Sequence, residues 1–112
     1  MKVIYIDDDI VSLKLLQELA ELYNFEVRLC TGAQEFLQSV ENDKYDIALI
    51  DLNLRFATGD SLRKQVKNLV PELPVFLFTN YSLPNIEDDA YVWHKGKFTN
   101  EELAQKILSF KK

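Results

Sequence analysis

The 112 residues, 47% hydrophobic and 28% charged, carry enough apolar mass for one compact domain, residues 1–112, and exclude a disordered or fibrous chain. Thirteen basic residues against 18 acidic ones give a net charge of −5, which opposes nucleic acid and an anionic membrane surface as partners. Cys30 is the single cysteine, so an internal disulfide is excluded and a small buried hydrophobe in a reducing cytosol is expected.

In chain order, "KVIYI" at 2–6 is the first predicted strand. Its apolar run breaks at Asp7, Asp8 and Asp9, too short for a signal peptide or a membrane span, so the expected location is cytoplasmic. From 10 to 23, Lys14, Gln17, Glu18 and Glu21 recur at helical spacing and leave Leu13, Leu15, Leu16, Leu19, Leu22 and Tyr23 to face a sheet. "EVRLC" at 26–30 is the second strand, and Thr31 with Gln34 fits a capping box ahead of Ala33, Phe36, Leu37 and Val40. "DIALI" at 46–50 is the third strand, and Asp60 is suited to cap a helix carrying Leu62, Val66, Leu69 and Val70. "VFLFT" at 75–79 and "AYVWH" at 90–94 are the last two strands, and Thr99 with Glu102 opens a final helix through Leu103, Ala104, Ile107 and Leu108.

Strand and helix alternate, and several strands are apolar on consecutive residues, as a sheet covered on both faces requires. The expected class is therefore α/β, a doubly wound parallel sheet of five strands. The fourth connection, "NYSLPNIEDD", is shorter than a crossover with a full helix needs. A turn around Pro84 to Asp89 is all the helix expected there, which would leave Phe76 and Phe78 thinly covered.

In open α/β sheets, ligands gather beyond the carboxyl ends of the strands, where the strand order reverses. With order 2-1-3-4-5 that rim receives Asp7, Asp8 and Asp9 from the first strand, Asp51 from the third, Thr79 from the fourth and Lys95 from the fifth. Asp9 is the natural cap of the first helix. The remaining carboxylates would repel one another unless a cation joins them, and magnesium, an oxygen-seeking ion that accepts one or two carboxylates plus phosphate, fits. Lys95 adds a positive head and Thr79 a hydroxyl donor, the set required for phosphoryl transfer to an aspartate nucleophile.

These stretches, "VIYIDDD", "IALIDLNL" with Gly59 eight residues after Asp51, "VFLFT" and "YVWHK", resemble the receiver domain of two-component response regulators over the whole chain. The resemblance implies the flavodoxin-like fold, Asp51 as phosphoacceptor, Asp8 as a direct magnesium ligand and Asp7 as a ligand mostly through water. It further implies the backbone carbonyl of Asn53 as a third protein ligand, with Thr79 as switch hydroxyl and Lys95 as phosphate partner. A histidine kinase or phosphotransfer protein would supply the phosphoryl group, and water would remove it, so the chain would catalyse only its own modification.

The chain also departs from the family. Arg55 stands where proline is common, Asn80 follows Thr79 in place of a small residue, and "HKGKF" lacks the usual proline, which makes Lys97 a rival of Lys95. The family's aromatic switch falls at Val92 or His94 by the two counts, with Tyr91 and Trp93 adjacent. These departures sustain a second reading, a pseudo-receiver that binds proteins without being phosphorylated. A flavin protein is disfavoured by acids where its phosphate would sit, and an aspartate phosphatase by Asn53 in place of a second acid. With the fourth helix reduced, residues 81–98 and the last helix are the expected surface for an output protein or a homodimer.

Overall fold

The structure, a computed structural model, describes residues 1–52, 54, 58–80 and 91–112. The apolar runs become β1 (Lys2–Ile6), β2 (Glu26–Cys30), β3 (Ile47–Asp51), β4 (Val75–Thr79) and β5 (Val92–His94). They form a five-stranded sheet in the order β2-β1-β3-β4-β5, with every neighbouring pair parallel. Helices α1 (Ile10–Tyr23), α2 (Ala33–Asn42), α3 (Gly59–Leu69) and α4 (Asn100–Leu108) connect and flank the strands, and a single 3-10 turn spans Lys95–Lys97. Among the described residues no helix is long and apolar enough to cross a membrane.

Side-chain alternation along the strands divides the core into two layers. Ile4, Ile6, Ala48, Ile50, Val75 and Leu77 cluster with Phe36 and Val40 of α2 and with Leu62 and Val66 of α3. Val3, Tyr5, Ile47, Leu49, Phe78 and Trp93 cluster with Leu16, Leu19 and Ala20 of α1 and with Leu103, Ala104 and Ile107 of α4. Central β1 and β3 are buried almost throughout, whereas edge strand β2 alternates exposed and covered residues.

The third strand runs one residue later than its sequence pattern, because Asp46 is spent on Lys2: its carboxylate accepts from the Lys2 N–H and its own N–H donates to the Lys2 carbonyl, both at 2.8 Å. Asp51 is thereby the last residue of the strand and pairs in register with Phe78. The start of the predicted fifth strand, Ala90, lies outside the described residues, as do Asn53, Arg55 and the fourth connection from Tyr81 through Pro84 to Asp89.

Several helix details differ from expectation. In α1 the buried residues are Ser12, Leu16, Leu19 and Ala20, a stripe that leaves Leu22 on the far side of the helix and 74% exposed. In α3 Leu69 is exposed, because Leu73 from the following turn joins the core at the helix end. The Thr31–Gln34 box does not form: Gly32 is the cap of α2, so the chain enters the helix one residue too late for it. Thr58 rather than Asp60 caps α3, accepting from Ser61 N–H at 3.2 Å, and Asp60 pairs with Lys64 within the helix. Asp9 caps α1, and Thr99 and Glu102 form the reciprocal box of α4, as the sequence implies. Phe78 is fully buried, and Phe76 is stacked on Trp93 at 4.6 Å and met edge-on by Phe110 at 5.1 Å. The sheet face expected to be bare is therefore covered from the fifth strand and the C-terminal end.

Gly59 fixes the relation of α3 to β3. Its N–H donates to the Leu52 carbonyl at 2.8 Å, and a Cβ at this position would lie 2.4 Å from the Asp51 carbonyl oxygen and 2.7 Å from Leu52 Cα. Both atoms are backbone and cannot swing aside. Gly59→Ala is expected to lower stability by roughly 1–3 kcal/mol, read as a shift of the denaturant midpoint. A midpoint equal to wild type would mean that helix and strand are less closely joined.

Candidate functional site

The carboxyl ends of the four inner and edge strands β1, β3, β4 and β5 deliver polar groups to one rim. The Asp7 N–H donates to the Cys30 carbonyl at 3.1 Å, so the β1–β2 ladder continues one residue past the strand and fixes Asp7. By alternation Asp7 follows Val3 and Tyr5 on the α1–α4 face of the sheet, and Asp51 follows Ile47 and Leu49 on that same face. Asp7 and Thr79 are fully buried, Asp51 is 6% exposed and Asp8 is half-buried. One carboxylate oxygen from each of Asp7, Asp8 and Asp51 lies within 4.8 Å of the others, and this trio could hold a metal ion.

Lys95 closes the cluster. Thr79 pairs with His94 at the end of the β4–β5 ladder, which sets the next residue at the rim. The Lys95 Nζ donates to Asp7 Oδ2 at 2.8 Å, to Ser12 Oγ at 3.1 Å and to Asp51 Oδ1 at 3.5 Å. It also lies 5.5 Å from the centre of the Phe78 ring. Lys97, its rival by sequence, is exposed at the end of the 3-10 turn.

The site contains groups that sequence reasoning did not single out. The Tyr5 hydroxyl, buried in the sheet, donates to Asp7 Oδ2. Ser12, buried in the first turn of α1, donates to Asp9 Oδ2 at 2.9 Å while accepting from Lys95. The signal for Tyr5 was its spacing of two from Asp7 on a strand, which puts both on one face; that for Ser12 was its spacing of three from the capping Asp9. Near the rim, Val92 is half-buried, Trp93 is packed in the core and His94 is half-buried. The Tyr91 ring lies under the Arg63 guanidinium of α3 at 3.7 Å, and Arg63 Nε donates to the Val75 carbonyl at 3.2 Å. Asn80 is exposed next to Thr79.

Burial pushes the Asp51 carboxyl up to about 6, with Asp7 and Asp8 adding to the rise and Lys95 opposing it. Burial, and then the charge of Asp7, likewise hold the Tyr5 phenol well above its ordinary range. The Ser12 hydrogen bond lowers Asp9, which stands outside the acid trio as a helix cap. Among the described residues the pocket holds three acids and one ammonium, and its acids offer hard oxygen donors.

Residues 3–94 match the family model described as "Response regulator receiver domain". The chain belongs to the response regulator receiver domain family. It is 30% identical over 80 residues to the transcriptional regulatory protein ZraR of Escherichia coli K12, covering 71% of this chain and 18% of that protein. It is 30% identical over 108 residues to the C4-dicarboxylate transport transcriptional regulatory protein DctD of Rhizobium meliloti, covering 92% of this chain and 24% of the relative. The chain thus spans about a fifth of the length of these curated relatives. Among solved structures, it is similar to the chemotaxis protein CheY4 of Vibrio cholerae, with TM-score 0.83, 21% identity and 97% of each chain covered. A CheY-like receiver domain protein from Methanospirillum hungatei gives TM-score 0.82 at 23% identity, over 96% of this chain and 90% of that one.

The raised Asp51 pKa has a sign. The folded chain holds the Asp51 proton more tightly than the unfolded chain, so this group costs stability as pH rises from about 4 to about 6, and the full cost persists above that window. Asp51→Asn removes the charge. In metal-free buffer the variant is expected to be more stable than wild type at pH 7.5, by on the order of 1–2 kcal/mol, with the difference fading toward pH 4. Denaturant melts across this range measure it, and equal stability at pH 7.5 would contradict the stated electrostatics.

Proposed function

We propose that residues 1–112 form a phosphoacceptor receiver of a two-component relay, with Asp51 as the nucleophile. The observation that supports this most is the Lys95 ammonium bridging buried Asp7 and Asp51, with Asp8 completing a trio of carboxylates within 4.8 Å. In this reading an ionised Asp51 oxygen attacks the donor's phosphorus in line. The bond from phosphorus to the donor's imidazole nitrogen breaks, its electron pair stays on that nitrogen, and the phosphoryl group ends on Asp51. Lys95 shifts from the acids to a phosphoryl oxygen, and the Thr79 hydroxyl donates to another. Attack of water on the phosphorus later restores the carboxylate.

The carboxylates of Asp7, Asp8 and Asp51 fit magnesium; Asp8 and Asp51 would hold it directly, Asp7 mostly through water, and the resemblance adds the Asn53 carbonyl, and the ion when bound would neutralise the charge gathered on the phosphoryl oxygens. Raised by burial to about 6, Asp51 is ionised at neutral pH. The proposed donor is a histidine kinase or phosphotransfer protein in the cytoplasm. The output is read by another protein or a second copy of the chain.

Intact mass after incubation with acetyl phosphate and magnesium tests the reading. We expect the gain of one phosphoryl group in wild type and none in Asp51→Asn. No gain from small donors or from kinases would favour the pseudo-receiver, with Asn80 obstructing the approach to Asp51.

A further inference from the structure

Asp7 is 0% exposed and collects three donors. The Asp9 N–H serves Oδ1 at 2.9 Å, while Oδ2 accepts from Lys95 Nζ at 2.8 Å and from the Tyr5 hydroxyl. A buried carboxylate depends on such donors, since water cannot replace them. These three differ in permanence. The Asp9 N–H belongs to the backbone entering α1, and serves the other oxygen. Lys95 is shared among Asp7, Ser12 and Asp51, and under the proposed function it leaves for the phosphoryl group.

Tyr5 is held in place. It is fully buried in the middle of the sheet, in register with Leu29 on one side and Leu49 on the other, and its ring meets Phe78 edge-on at 5.9 Å. Phenylalanine would fill this place in the core as well; the hydroxyl is what the acid pocket gains. We propose that Tyr5 is a positioning residue of the phosphoacceptor pocket, its hydroxyl holding Asp7 Oδ2 so that the carboxylate stays aimed at the Asp8–Asp51 cluster when Lys95 departs. The inference rests on the proposed function, because it assigns Lys95 two successive partners. Hydrogen bonds that orient a metal-binding carboxylate contribute to metal affinity although they never touch the ion.

Magnesium titration by calorimetry on the full chain tests this, with wild type, Tyr5→Phe and Tyr45→Phe compared. Tyr45 is half-buried beside Lys2 at the opposite end of the sheet and serves as the control. Tyr5→Phe is expected to weaken magnesium binding about tenfold or more, and Tyr45→Phe to leave it unchanged. A purely structural tyrosine would lower the melting temperature without moving the magnesium Kd. Magnesium binding by wild type that is unchanged in Tyr5→Phe overturns this inference and leaves the phosphoacceptor reading intact. Failure of wild type to bind magnesium overturns both. Should Tyr5→Phe not fold, NMR of wild type decides: a slowly exchanging Tyr5 hydroxyl proton should persist on adding magnesium and beryllium fluoride, and its loss would refute the proposal.

Discussion

The pocket depends on one ammonium group serving two buried acids. Asp7 has no solvent contact and Asp51 almost none, and two carboxylates so placed repel each other and resist desolvation. Lys95 Nζ lies within 4.0 Å of both, itself largely covered and seated over Phe78. The rest of the fold serves this contact. The β4–β5 ladder sets where Lys95 leaves the sheet, the β1–β2 ladder extends to Asp7, and Gly59 lets α3 press on the backbone of Asp51.

One lysine is too little charge for three acids. Burial first, and the neighbouring acids after it, raise the Asp51 carboxyl to about 6. A pocket in this condition favours whatever brings positive charge, and any anion attached to Asp51 would draw Lys95 away from its present partners. The same imbalance that makes the resting site costly thus makes it responsive. Ser12 and Tyr5 temper that cost by hydrogen bonding, Ser12 to Lys95 and Tyr5 to Asp7, without adding charge.

Much of this was legible in the sequence, for identifiable reasons. Consecutive apolar residues bounded by acids define β1 and β3, and the rule that ligands collect at strand ends points to Asp7, Asp8, Asp51 and Lys95, which the structure gathers, and to Thr79, which it buries at the end of β4. Of the two rival lysines, it is Lys95 that reaches the acids. What escaped notice was hidden by its apolar company: Tyr5 reads as one more core residue of "KVIYI", and only its hydroxyl betrays a second role. Helix entries were misread by one residue at Gly32 and by two at Thr58, because a hydroxyl or acidic residue beside each start could equally serve as cap. Leu22 was misjudged because leucine was weighed above angular position, whereas the short Ser12 and Ala20 occupy the buried stripe. The covering of Phe76 by Phe110 joins residues far apart in sequence, which local pattern cannot reveal.

The central claim, that Lys95 is the cation on which the acid pocket rests, is tested most directly by comparing Lys95→Met with Lys97→Met by denaturant unfolding in a chelator. Removing one partner of a buried, hydrogen-bonded ion pair typically costs about 3–5 kcal/mol, and a divalent cation should restore part of it. The account predicts a loss approaching that size for Lys95→Met, partly recovered by magnesium, and almost none for exposed Lys97→Met. Equal stability of the two variants in chelator would contradict it.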